Sequence, residues 1–190
     1  MSRTDGLSVV VERPSDAVLL RRLLSRALSL QPNFYAGDGR LSLATLARNI
    51  LVHEGGPLLL VMDADSADPA RAAEACAMTQ AALRQVAADQ SFAVFAFIPQ
   101  LEVVFFEAYP VLQAHLGADA LSSGPLVGRL DPRRTLQSAL DREGIPRDAF
   151  VRALTPRDLD VLLEGPQLRA LIASVRSLAG SQGGVLGSAA

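Results

Sequence analysis

The stretch VVVERPSDAVLLRRLL, residues 9–24, decides how the chain is read. Three valines in succession suit a strand covered on both faces, as in the centre of a parallel sheet. The strand, Leu7 to Val11, stops at Glu12, and the spacing then changes to that of a helix. Leu19, Leu20, Leu23, Leu24, Ala27 and Leu28 fall on one stripe, with Arg21, Arg22 and Arg26 mostly off it. Ser15 is the expected cap, and Asp16 lies in the first turn, where the helix dipole favours an acid. A buried strand leading into an amphipathic helix is half of a βαβ unit. Here it leaves two acids, Glu12 and Asp16, near the turn.

The alternation continues outward. Asn33 to Ala36 reads as a second strand, and GDGR, 37–40, as a turn. Leu43, Leu46, Ala47, Ile50 and Leu51 have helical spacing, and HEGGP, 53–57, stops that helix. LLLVM, 58–62, is the strongest buried strand, and it runs straight into Asp63-Ala64-Asp65. An alanine-rich helix is expected over Pro69 to Ala88, and a fourth strand over SFAVFAFI, 91–98. Pro99 breaks that strand. A helix containing Glu102 and Glu107 follows, and Pro110 ends or kinks it. The expected fold is α/β: a mainly parallel four-stranded sheet flanked by helices.

From about Leu116 the character changes. Gly124, Pro125 and Gly128 mark a loop, and short helices are expected near 132–142 and 147–153. Thr155-Pro156 opens a helix to about Leu163, and Pro166 to Leu178 forms another. The expected organisation is an α/β domain over 1–116, a helical extension over 117–179 and a disordered tail over 180–190.

Composition narrows the function. The chain has 190 residues, 49% of them hydrophobic, enough for a core, and a net charge of −2 that gives no electrostatic case for nucleic acid. Lysine is absent and arginine takes its place throughout, which reads as codon bias rather than as a phosphate-binding role of arginine as such. A single cysteine, Cys76, rules out an internal disulfide or a cysteine zinc site. No leader and no membrane-length apolar run is evident, so the expected location is the cytoplasm, with no membrane partner.

Ligands of parallel α/β sheets bind at the carboxyl ends of the strands. Glu12 ends the first strand and Asp63 the third, with Asp65 just beyond. If these strands are neighbours, their like charges raise one another's pKa unless a cation intervenes. Hard oxygen donors without histidine or thiolate favour Mg2+, or Mn2+, over zinc. Such a site can hold a phosphate oxygen and activate water. Acids at strand ends also serve as helix caps or solvated loop residues.

VVVERPSD followed by a helix, and then LLLVMDADSAD, resembles the TOPRIM domain of topoisomerases, primases and the overcoming-lysogenization-defect nucleases. The resemblance covers about residues 7–116, and the order of the short motifs carries it. It implies a TOPRIM/Rossmann-like sheet with catalytic Glu12, Asp63 and Asp65, which also bind the metal. Asp16 matches the acid that follows the glutamate in the nuclease branch. FIPQLEVVFFE is similar to a P-x-x-E segment of small TOPRIM-like proteins, which makes Glu102 a further candidate ligand.

Two positions depart from the pattern. Arg13 stands where glycine is usual; it either contacts phosphate or fills the site and weakens catalysis. Asp68 stands at another usual glycine and is either a ligand or the cap of the next helix. The chain lacks the companion parts of topoisomerases, primases and the ATPase-linked nucleases, which leaves a stand-alone small protein.

The resemblance implies a Mg2+-dependent nuclease acting on DNA or RNA, as a defence or mobile-element component. The alternative is a non-catalytic TOPRIM-like module that binds a partner protein such as an ATPase; a homo-oligomer is compatible with both. A receiver domain needs a lysine that this chain lacks, and a haloacid-dehalogenase phosphatase carries its Asp-x-Asp after the first strand. The phenylalanines read as core or interface, and His53 as a cap or surface residue. Arg129, Arg133, Arg134, Arg142 and Arg147 either guide a nucleic acid or form a solvated helical surface.

Overall fold

In the computed structural model, which describes residues 6–28, 31–117 and 124–180, four parallel strands form one sheet flanked by helices. The strands are β1 (Ser8–Val11), β2 (Asn33–Ala36), β3 (Leu58–Asp63) and β4 (Phe92–Phe97), in the order β2-β1-β3-β4. The register pairs Val9 with Phe34 on one side and with Leu59 on the other. Asp63, the last residue of β3, pairs with Phe97.

Successive side chains of a strand point to opposite faces, and each face here has its own core. Val9, Val11, Leu59, Val61 and Phe97 pack beneath α1 (Pro14–Ala27), against Leu19, Leu20, Leu23 and Leu24. Val10, Leu58, Leu60 and Met62 pack on the other face, against α2 (Arg40–His53) and α3 (Pro69–Arg84). The helix that leaves β1 therefore covers one face, and the helix that leaves β3 covers the other. Adjacent strands whose following helices diverge in this way open a crevice at their carboxyl ends. The crevice lies between Glu12 and Asp63.

Seven further helices follow among the described residues, the first six being α4 (Val103–Glu107), α5 (Tyr109–Leu116), α6 (Gly124–Leu130), α7 (Pro132–Arg142), α8 (Arg147–Ala153) and α9 (Pro156–Leu163). The seventh is α10 (Pro166–Gly180). Leu136, Phe150, Leu162 and Leu171 from these helices belong to the same core cluster as α1 and the odd-numbered residues of β1 and β3. The hydrophobic core therefore runs across the boundary expected near residue 116. Polar clamps reinforce it. Arg22 of α1 donates to the carbonyls of Val151 and Leu154, and Arg26 holds both oxygens of Asp160 at 2.7 Å. Gln167 exchanges two hydrogen bonds with the backbone of Ile98, at 2.8 and 2.7 Å, and so ties α10 to the end of β4.

Several local expectations are corrected. Arg13, not Ser15, occupies the N-cap of α1 in extended backbone, because Pro14 is pre-set for the first helical position. Arg40 begins α2 rather than ending a turn, and α3 stops at Arg84. The helix after β4 breaks at Ala108, and Pro110 lies in the first turn of α5. Gly124 to Gly128 is helical, not a loop. The expected tail beyond residue 180 lies outside the described residues. No described helix is long and apolar enough to cross a membrane.

Candidate functional site

Four acids and three arginines meet at the carboxyl end of the sheet, with Asp65 and Arg40 at the rim. Glu12 follows β1 directly, and Asp63 ends β3. The backbone N–H of Asp63 donates to Glu12 Oε1 at 3.1 Å, so the two acids are fastened to each other. The other oxygen side of Asp63 is equally fixed, because Leu101 N–H donates to Oδ1 at 2.7 Å. Glu12, Asp16, Asp63 and Glu102 are all buried, with Glu102 only 1% exposed. Buried carboxylates of this kind need counter-charges.

Arginines supply them, in a closed ring of alternating sign. Arg13 Nη2 donates to Asp63 Oδ2 at 2.7 Å, and Arg133 Nη2 binds the same oxygen. Arg133 Nε reaches Glu102 Oε1 at 3.2 Å. Arg147 Nη1 meets that oxygen at 2.8 Å, while its Nη2 meets Asp16 Oδ1 at 3.1 Å. Arg13 Nε, 3.7 Å from Asp16 Oδ2, closes the circuit. Three acids and three arginines balance, and Glu12 leans on the ring from outside, 3.9 Å from Arg13 Nη2. Among the described residues, two buried atoms of the ring, Glu102 Oε2 and Arg147 Nε, have no hydrogen-bond partner.

Burial dominates the acids' electrostatics. It pushes Asp63 up to about 6, against the pull of Arg133 and of the Leu101 N–H. It also raises Glu12, against the N–H of Asp63, and Asp16, against Arg147 and Arg13. Neutral pH still leaves Asp63 ionised, as its two guanidinium contacts require.

The remaining candidates lie elsewhere. Asp65 adopts φ of 51°, a left-handed conformation that an aspartate tolerates better than most residues. Its carboxylate is exposed at the rim, 3.4 Å from Arg40 and 3.1 Å from Gln100 Nε2. Asp68 caps α3 through Ala70 N–H at 2.9 Å and takes no part in the ring. The fold thus unites Glu12, Asp16, Asp63 and Glu102, keeps Asp65 at the edge and leaves Asp68 aside.

Arg133 and Arg147 correct the reading of the C-terminal arginines as a solvated surface. Their side chains are 28% and 15% exposed, and both are bound to acids. The usable signal was indirect: four buried acids demand counter-ions that residues 1–116 do not supply. His115 places Nε2 3.0 Å from Asp158, inside the Thr155–Asp158 capping box of α9.

The donor set suits a hard cation, but only in one place. Among the described residues, no three acids, histidines or cysteines converge as a metal cage. Arg13 Nη2 stands between Glu12 and Asp63, and Arg133 Nη2 shares the Asp63 oxygen. Mg2+ commonly takes one or two carboxylates, with water and substrate oxygens filling its other positions. The pair would supply those two carboxylates only with both guanidinium groups displaced from Asp63. No family model, curated protein or solved structure matches the chain.

Proposed function

We propose that the chain is a TOPRIM-type phosphodiesterase that cleaves nucleic acid at the β1–β3 crevice with a hard divalent cation. The observation that carries this reading is Glu12 and Asp63, hydrogen-bonded at the diverging ends of adjacent parallel strands, with a cationic nitrogen between them. The order of the motifs, and their resemblance to TOPRIM, supports it.

Glu12 and Asp63 would hold Mg2+ or Mn2+, which supplies neutralisation of the charge that develops on the phosphoryl oxygens. Turned from Asp63, Arg13 and Arg133 would donate to the non-bridging oxygens of the diester, which the planar guanidinium fork recognises in bidentate fashion. Glu12, raised by burial, is the group to accept a proton from the attacking water. Arg147 and Asp16 are positioning residues: they hold Arg133 and Arg13 through Glu102 and the ring. Asp65 sits where an approaching strand meets the rim.

The test is cleavage of plasmid DNA and structured RNA with Mg2+, Mn2+ or EDTA. Wild type should cut only with metal, Asp63→Ala should fall to background, and Glu12→Gln should lose about 10²–10⁴-fold. Metal-dependent cutting that survives in Asp63→Ala would remove the assignment.

A second reading has its own observation. Both Arg13 and Arg133 are seated on Asp63, an arrangement that also suits a non-catalytic module engaging a partner protein such as an ATPase. Metal-independent co-purification of one stoichiometric partner, with no cleavage by either the chain or the complex, would select it.

A further inference from the structure

The members of the ring are not held equally. Arg147 is 15% exposed and donates to two buried acids. Arg133 is shared between Asp63 and Glu102, and its backbone N–H donates to Gln100 Oε1 at 3.4 Å. Arg13 has a single contact within hydrogen-bond distance, to Asp63; its other two acids lie at 3.7 and 3.9 Å. Its backbone is fixed, because its carbonyl accepts from Asp16 and Ala17 at the start of α1. The side chain, 29% exposed, is the part that can swing.

We propose that Arg13 is a built-in counter-cation of the Glu12–Asp63 pair, which a phosphodiester draws outward as a divalent cation enters. The exchange rests on the phosphodiesterase reading above. With Arg13 in place, an incoming divalent ion meets a full positive charge at contact distance from its own ligands, and the two repel. A diester oxygen pair offers Arg13 a bidentate partner in the solvent-facing direction. Once it turns there, Glu12 and Asp63 are left under-compensated and attract the metal. The unpartnered Glu102 Oε2 gives Arg133 a second oxygen to settle on as it, too, loosens from Asp63. Metal and diester therefore bind with positive coupling, and linkage makes the coupling reciprocal.

The full chain is titrated with Mn2+ by electron paramagnetic resonance, with and without dimethyl phosphate, at constant ionic strength. The expected result is Mn2+ binding at least about five-fold tighter with dimethyl phosphate. Arg13→Gln, which retains size and polarity, should bind Mn2+ without the diester as tightly as wild type does with it, and should lose the coupling. Equal Mn2+ affinity in both conditions, coupling that persists in Arg13→Gln, or no Mn2+ binding at all overturns the exchange. The wild-type comparison needs no variant to fold. Cleavage separates the two claims: a wild type that cuts without coupling overturns only the exchange. Coupling without cutting of any nucleic acid overturns only the hydrolysis.

Discussion

With 15% of its side chain exposed, Arg147 joins Asp16 to Glu102, two acids that are themselves almost wholly buried. Removing one partner from a buried ion pair leaves the other charge uncompensated, at a cost of about 3–5 kcal/mol. Arg147→Ala is expected to lose that much stability in urea unfolding. Asp63 gives a pH signature. Its folded pKa, pushed up to about 6, means that the folded state holds the proton more tightly than the unfolded chain does. Stability is therefore greatest in mild acid. It falls as pH rises through the window from about 4 to 6, by on the order of 2–3 kcal/mol. Glu12 and Asp16, also raised, act in the same direction. Asp158 and Asp160, both lowered, act only in stronger acid, where their contribution is lost as pH falls. Unfolding of wild type and Asp63→Asn between pH 4 and 7 should give a difference curve with this slope; a flat difference would exclude Asp63 as its source.

Among the elements, α6 shows how a packing demand overrides local propensity. A Cβ built on Gly128 would lie 2.1 Å from the ring of Phe106, which is buried in α4. Glycine in this helix buys close approach between α6 and α4, and Arg129 adds hydrogen bonds to the Phe106 carbonyl at 3.3 and 3.4 Å. Gly128→Ala improves helix propensity yet forces Phe106 to move; it should destabilise by about 1–3 kcal/mol in thermal or urea unfolding. A stabilised variant would show that α6 can slide. The contrast explains which elements were legible. β1 and β3 announce themselves because strands covered on both faces must be continuously apolar. α6 reads as a loop because the glycine that makes its contact is the residue that usually ends helices. The acids were legible for the same reason as the strands, since Glu12 and Asp63 interrupt apolar runs. Arg133 and Arg147 were not, because nothing near them in the chain marks what they pair with.

At the scale of the molecule, one core cluster spans α1, the sheet and the helices from α4 to α10. A fragment ending at residue 117 would lose Phe150 from the ring of Phe105 and would leave Arg22 and Arg26 without Val151, Leu154 and Asp160. It would also strand three buried acids without Arg133 and Arg147. The fragment is expected to lack a cooperative unfolding transition and to show little amide protection; a folded fragment would restore the boundary near residue 116. The α/β plan was legible from the alternation of apolar runs. The extent of the core was not, because short amphipathic helices do not declare which surface they cover.

The ring also has a direction in time. Asp16 and Arg147 meet across a sequence separation of 131 residues, and the acids all precede Arg133 and Arg147 in the chain. During synthesis the carboxylates of the crevice emerge first and wait for their counter-ions, since contacts between distant residues form only after the intervening loop closes. A ribosome-bound chain that has not yet released residue 147 carries an acidic, incomplete edge. Charge balance at the crevice is therefore a late event in the life of each molecule, and a chain cut short never reaches it.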